Sequence, residues 1–274
     1  MTGIPEYGGL RLAITTLTAL PMRAGRLDRE TAGKAMAWSP AVGVGVGALA
    51  SVGIVVMRYA IPEAGVQRLV PVGVGIALLA LLTRGLHLDG LADTVDGLGV
   101  ADRERSLDVM RQSDLGAFGV LALLLVVLLQ TAALTTADIA QHGTRALICA
   151  VATGRIAITW ACARGVPAAR PNGLGALVAG TLPRVVPLAW SVIAVVAGSG
   201  WAYLDDRGRL PQALIQGVAI AVALLVARIV QARLVRRLGG ISGDVLGALC
   251  EIATTVALVL GAAVPGADWF HHHY

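Results

Sequence analysis

The chain has 274 residues, of which 56% are hydrophobic and only 14% charged, and Lys plus Arg exceed Asp plus Glu by 22 to 17 for a net charge of +5. Soluble domains carry roughly 25% charged residues, and so few charges cannot cover the surface of a water-soluble protein of this size. A globular cytosolic enzyme and a disordered chain are both excluded, leaving a polytopic membrane protein. In that class a basic excess reflects the Lys/Arg bias of cytoplasmic loops, and no nucleic-acid partner is expected.

In chain order, the opening MTGIPEYGGLRLAITTL has no basic region ahead of its apolar stretch, so no cleaved signal peptide is expected. Residues 8–20 form a short apolar segment ended by Pro21, which predicts an interfacial or re-entrant helix. A span needs about 20 apolar residues as helix, because every backbone amide must be bonded internally. Seven stretches qualify, near 36–57, 69–83, 116–136, 146–163, 185–203, 212–230 and 246–264. The fold class is therefore an all-α polytopic integral membrane helical bundle with about seven transmembrane helices and a short N-terminal helix. Residues 1–274 read as a single transmembrane domain with an acidic cytoplasmic motif loop at 84–115. Gly43, Gly45, Gly47, Gly53, Gly73 and Gly75 lie within the first two spans and suit close helix packing. Cys149, Cys162 and Cys250 show no Cys-x-x-Cys spacing and read as small core residues.

Orientation follows from charge. The loops at 21–35, 84–115, 164–184 and 231–245 carry fourteen Lys or Arg residues, against five at Arg58, Arg68, Arg145, Arg207 and Arg209. The first group is therefore expected in the cytoplasm, with the N-terminus inside and the C-terminus outside a bacterial inner membrane.

The most informative segment is Arg84-Gly-Leu-His-Leu-Asp-Gly-Leu-Ala-Asp-Thr-Val-Asp-Gly-Leu-Gly99. Asp89, Asp93 and Asp96 are spaced i, i+4 and i+7, which puts three carboxylates on one helical stripe. Like charges at this spacing repel, more so at the end of a span, so a cation must offset them. Carboxylates without a His/Cys cluster suit hard ions such as Mg²⁺, which takes one or two carboxylates plus substrate phosphates. A solvated acidic turn is the alternative. His87 is a candidate base, phosphate donor or plain interfacial side chain. Arg111 and Asp114 stand nearest the third span and are candidates for substrate contact, as is Arg170, whose forked donors suit phosphate or carboxylate. Asp244 opens the last span as a metal ligand or helix cap. Arg155 and Glu251 sit at depth, where ionisable groups are usually paired: with each other, or Arg155 with a phosphate. Arg228 reads as a snorkelling side chain. His271, His272 and His273 read as surface polarity.

Gly85-Leu-His-Leu-Asp-Gly-Leu-Ala-Asp-Thr-Val-Asp-Gly-Leu98 resembles the signature of the adenosylcobinamide-GDP ribazoletransferases, the cobalamin synthases. The resemblance continues through Arg105-Ser-Leu-Asp-Val-Met-Arg111, Gly116-Ala-Phe-Gly119, Ala169-Arg-Pro-Asn-Gly-Leu-Gly175 and Gly239-Gly-Ile-Ser-Gly-Asp-Val-Leu-Gly-Ala248. Leu20-Pro21 and the glycine run after Pro40 also fit. The family commonly has Lys/Arg-Asp-Ser-Arg before the Ile-Gly of its third motif. Here the stretch is Arg111-Gln-Ser-Asp114-Leu-Gly116, with the acid moved from second to fourth place.

The resemblance implies that GDP-activated adenosylcobinamide is joined to α-ribazole or its 5′-phosphate with release of GMP, using Mg²⁺ as cofactor. In that chemistry Asp89, Asp93, Asp96 and Asp244 are the expected metal ligands, Asp96 or His87 the proton acceptor, and Arg111, Asp114, Arg155 and Arg170 the substrate contacts. Partners are the small-molecule substrates and the lipid bilayer, and a homo-oligomer is compatible with the reading. Two other functions stay open on the residues alone. A CDP-alcohol phosphotransferase shares Asp93-Thr-Val-Asp96-Gly97 but expects Ala-Arg further on, where the chain has Ala101-Asp102. An ion-coupled transporter would place its acids near the midplane in broken helices.

Overall fold

A computed structural model describes residues 8–22, 27–61, 65–112 and 114–262 of the chain. The histidines at 271–273 lie outside the described residues. Helix α1 (Gly8–Leu17) has ten residues, about 15 Å at 1.5 Å per residue, too short to span. It buries Leu12, Ala13 and Leu17 and packs along α2 (Arg29–Ala60). Asp28 opens α2 by accepting the Thr31 amide at 2.8 Å.

Among the described residues, five helices combine the length and apolarity needed to cross a membrane: α2, α6 (Ala117–Ile139), α9 (Val185–Asp205), α10 (Leu210–Leu238) and α11 (Gly243–Ala262). The other two expected spans differ in instructive ways. The 69–83 stretch forms α3 (Leu69–Leu82), whose 14 residues cover only about 21 Å. It then turns by 84° into α4 (Leu86–Leu98), which carries the acidic motif. Arg84 (φ 55°) and Gly85 (φ 67°) are consecutive left-handed residues, a conformation no helix continues through. The pair α3–α4 is thus a broken element, and α4 lies outside the five spanning helices.

The 146–163 stretch forms α7 (Gly143–Ala161), long enough to span but interrupted by Arg145, Thr153, Arg155 and Thr159, all buried. Its neighbours explain how these are tolerated: α2, α11, α9, α10 and α6 pack around it, so it meets protein rather than lipid. Close approach to α2 depends on small residues. A Cβ on Gly47 would sit 3.1 Å from the Ile148 Cα, and one on Gly43 would meet Arg155 and the Val151 carbonyl at 3.0–3.1 Å. Gly53 and Gly75 serve the α2–α3 contact in the same way, whereas Gly45 and Gly73 face open space. Cys162 and Cys250 are buried, Cys149 is partly so, and all three are free thiols.

Charges tie the two ends of the bundle. At one end Asp138 meets Arg58 and Arg68, each at 3.4 Å, and buried Arg145 meets Asp205 at 2.5 Å and Asp206 at 3.1 Å. At the other end lie the loops that the charge count groups together. Arg29 donates to the Ala179 carbonyl at 2.7 Å in the connection after α8 (Gly173–Val178). Arg103, opening α5 (Arg103–Val109), donates to the carbonyls of Leu238 at 2.9 Å and Ala169 at 3.1 Å.

Candidate active site

The acidic motif reaches its geometry through a helix crossing that tolerates no side chain. A Cβ on Gly90 would lie 2.7 Å from the Asp244 carbonyl oxygen, and one on Gly247 would lie 3.0 Å from the His87 carbonyl. Two glycines on α4 and α11 thus allow backbone contact that carries Asp244 to the face of α4 bearing Asp89 and Asp93. The start of α11 is fixed independently: the amides of Ala169 and Ile241 donate to Ile241 and Pro167 carbonyls, each at 2.9 Å, stitching the 167–175 and 239–248 motifs together. Ser242 caps α11 by accepting the Val245 amide at 3.2 Å and donates to an Asp244 carboxylate oxygen, also at 3.2 Å. The cap is Ser242, which leaves Asp244 to face the acidic group.

Burial, followed by the charges of Asp89, Asp244 and Asp96, pushes the Asp93 carboxyl up to about 6. Burial and neighbouring like charges both disfavour the ionised carboxyl. Two cavities share Leu86 and Asp89 in their walls. The larger, about 730 Å³, is also lined by Arg84, Asp93, Gln112 and Leu115. The smaller, about 240 Å³, is lined by His87 and Asp244. Buried His87 has no hydrogen-bond partner for either ring nitrogen, and desolvation, with Arg155 nearby, holds it well below the usual histidine range, hence neutral.

Asp96 is placed differently from the expectation of a metal ligand or base. Its two carboxylate oxygens accept the Gly116 and Gly119 amides, each at 2.8 Å, at the N-terminus of α6. A carboxylate there meets orphan amide donors and the positive end of the helix dipole. Seven residues along α4 leave it on nearly the same face as Asp89 but about 10 Å further along the axis, where α6 begins. Asp89, Asp93 and Asp244 lie within electrostatic reach of one another, although among the described residues their carboxylate oxygens do not gather within 4.8 Å.

Arg170 donates to the Leu107 carbonyl, joining its loop to α5, and lies within electrostatic reach of Asp244. Arg111 and Asp114 are exposed on the connection into α6, and their neighbours Gln112 and Leu115 line the larger cavity instead. Arg155 and Glu251 are both buried and interact electrostatically, yet no ion pair joins them among the described residues. Glu251 instead accepts from the Gln130 amide at 2.8 Å. His87, Cys250 and Glu251 bring three donor atoms within 4.8 Å of one another, a softer set than Mg²⁺ prefers, with cationic Arg155 beside it. Sequence reasoning missed Arg84, Gln112 and the glycine crossing; the Gly90 and Gly247 spacing inside otherwise helical runs was the available signal.

The cobalamin-5-phosphate synthase model, CobS, matches residues 9–262. The chain belongs to that family. Among its relatives, the adenosylcobinamide-GDP ribazoletransferase of Frankia casuarinae is 46% identical, covering 93% of this chain and 95% of that protein. The protein of the same name from Nocardioides sp. is 38% identical over 92% of this chain and 97% of its own length. That from Desulforamulus reducens is 35% identical over 93% and 96%. No solved structure matches. In this CobS-family chain the 85–98 and 239–248 motifs meet at the α4–α11 crossing, and Ala169 of the 169–175 motif is bonded to Ile241 beside it.

Proposed function

We propose that the protein is an adenosylcobinamide-GDP ribazoletransferase, joining adenosylcobinamide-GDP to α-ribazole or its 5′-phosphate to give adenosylcobalamin or its 5′-phosphate and GMP. Family membership over nearly the whole chain carries this reading, and it favours neither a CDP-alcohol phosphotransferase nor a transporter. The site is read as cytoplasmic on the bacterial inner membrane, because the basic loops share its end of the bundle.

The reaction is displacement at phosphorus by a sugar hydroxyl, with GMP as leaving group, and it needs positioned cations more than covalent chemistry. Asp89, Asp93 and Asp244 supply oxygen donors on the walls of two cavities that share Asp89, and a cation there would relieve the like charges that, with burial, raise Asp93. That set fits Mg²⁺. Bound there, Mg²⁺ would supply charge neutralisation for the pyrophosphate. Asp96 does not join this set: holding the α6 amides, it fixes the wall opposite Asp93. Arg84, on the larger cavity, offers a cation toward a phosphate oxygen, and Arg170 keeps the 169–175 loop against α5. His87, neutral and on the wall of the smaller cavity, is placed to accept a hydrogen bond from the ribazole hydroxyl, although its burial disfavours taking up the proton. Burial, with the charge of Arg155 added to it, keeps His87 unprotonated.

The test is direct. Purified protein supplied with adenosylcobinamide-GDP, α-ribazole and Mg²⁺ should release GMP in proportion to corrinoid product. Folded protein that releases none would refute the assignment.

A further inference from the structure

On the side of the bundle away from the acidic site, α9 and α10 enclose an apolar groove of about 370 Å³. Its floor includes Leu224, and its walls include Val192, Val196 and Leu225, which are 54%, 65% and 59% exposed and therefore open outward. One end is polar. Arg228 stacks over the Trp160 ring at 4.9 Å and donates to Gln231 at 2.6 Å, while the Trp160 indole donates to Ser191 at 3.0 Å. Arg184, at the start of α9, is near enough to repel the Arg228 charge.

The polarity of the groove follows from chain direction. Moving from Ser191 to Val196 on α9, and from Arg228 back to Ala221 on α10, both lead away from the polar end. The groove thus has a cationic head formed by Arg228 and bordered by an indole at the end of the bundle where α7 finishes, and an apolar tail running inward between two spanning helices. We propose that this groove binds an anionic phospholipid, its phosphate at Arg228 and one acyl chain along α9 and α10.

Three considerations select that occupant. A guanidinium on a lipid-facing helix must find an anion or reach the interface. Indoles bordering basic pockets between spanning helices mark the headgroup level and take acidic headgroups. A second copy of this chain fits poorly, because neither helix offers a carboxylate between Val185 and Leu204 or between Leu210 and Leu238 to meet Arg228.

The experiment compares wild type with Arg228→Gln, Arg228→Lys, Ala221→Trp and Arg236→Gln, each reconstituted in nanodiscs of phosphatidylcholine alone or mixed with phosphatidylglycerol. Native mass spectrometry after extraction reads the retained lipid, and thermal melting reads stabilisation. Wild type, Arg228→Lys and the control Arg236→Gln, whose charge lies beyond the groove, should retain phosphatidylglycerol and melt higher in its presence. Arg228→Gln should lose both, and so should Ala221→Trp, which fills the groove but keeps the charge. Normal melting of these two in phosphatidylcholine alone shows that they are folded. Equal retention of phosphatidylcholine and phosphatidylglycerol by wild type would overturn the proposal. So would retention surviving in Arg228→Gln, or a melting rise produced equally by soluble glycerophosphoglycerol, which has no acyl chain.

Discussion

Replacing Asp93 by Asn should stabilise the metal-free protein while abolishing its activity. Burial and the charges of Asp89, Asp244 and Asp96 push Asp93 from its ordinary 3.8 to about 6 in the folded chain. At about 1.4 kcal/mol per unit the shift would be worth about 3 kcal/mol, but the half-buried side chain still meets water, and screening reduces this to about 1 kcal/mol. The folded state binds the proton more tightly than the unfolded state, so wild-type stability falls as pH rises from 4 to 6 and the full penalty persists above 6. Asn cannot ionise and escapes it. Thermal melts in detergent with EDTA should therefore show Asp93→Asn above wild type at pH 7.5 and level with it at pH 4. Added Mg²⁺ should restore wild type far more than the variant. A variant less stable than wild type at pH 7.5, or a gain of equal size at both pH values, would refute the reasoning.

Asp96→Ala should behave in the opposite sense, losing about 2 kcal/mol in the same melts because two amides at the start of α6 lose a charged acceptor; any residual activity should keep its wild-type Mg²⁺ dependence. Gly90→Val should force α4 from α11, since even a Cβ would stand 2.7 Å from the Asp244 carbonyl oxygen; a displacement near 1 Å predicts about a 100-fold loss in kcat, seen in GMP release by a protein that still inserts. Arg145→Gln breaks the buried pairing with Asp205 and Asp206 and should lower stability by about 3 kcal/mol, while the Mg²⁺ concentration for half-maximal rate stays unchanged.

Apolar runs and basic loops are one-dimensional signals, which is why the helical bundle and the grouping of the loops at one end were readable from the chain. The charge count placed the 169–175 and 239–248 motifs on the same side as the acidic motif, but gave no sign of their contact with one another. Two further features were not readable. Periodicity places Asp96 on the stripe with Asp89 and Asp93, but which carboxylate a neighbouring helix recruits depends on where α6 begins, and Gly116 and Gly119 gave no local sign of it. Likewise the apolar run at 69–83 has the composition of a span, and only the left-handed pair Arg84-Gly85 shortens it into a bent element. The expected pairing of Arg155 with Glu251 failed in detail because Gln130, from a third helix, took the carboxylate.

The measurement that bears most directly on the acidic crossing is the rate of GMP release as Mg²⁺ is titrated into EDTA-treated protein, for wild type and for Asp89→Asn and Asp244→Asn. The account predicts no turnover without the ion, recovery on adding it, and variants that need far more of it or never recover. Full turnover in EDTA, or variants with the wild-type Mg²⁺ curve, would contradict it.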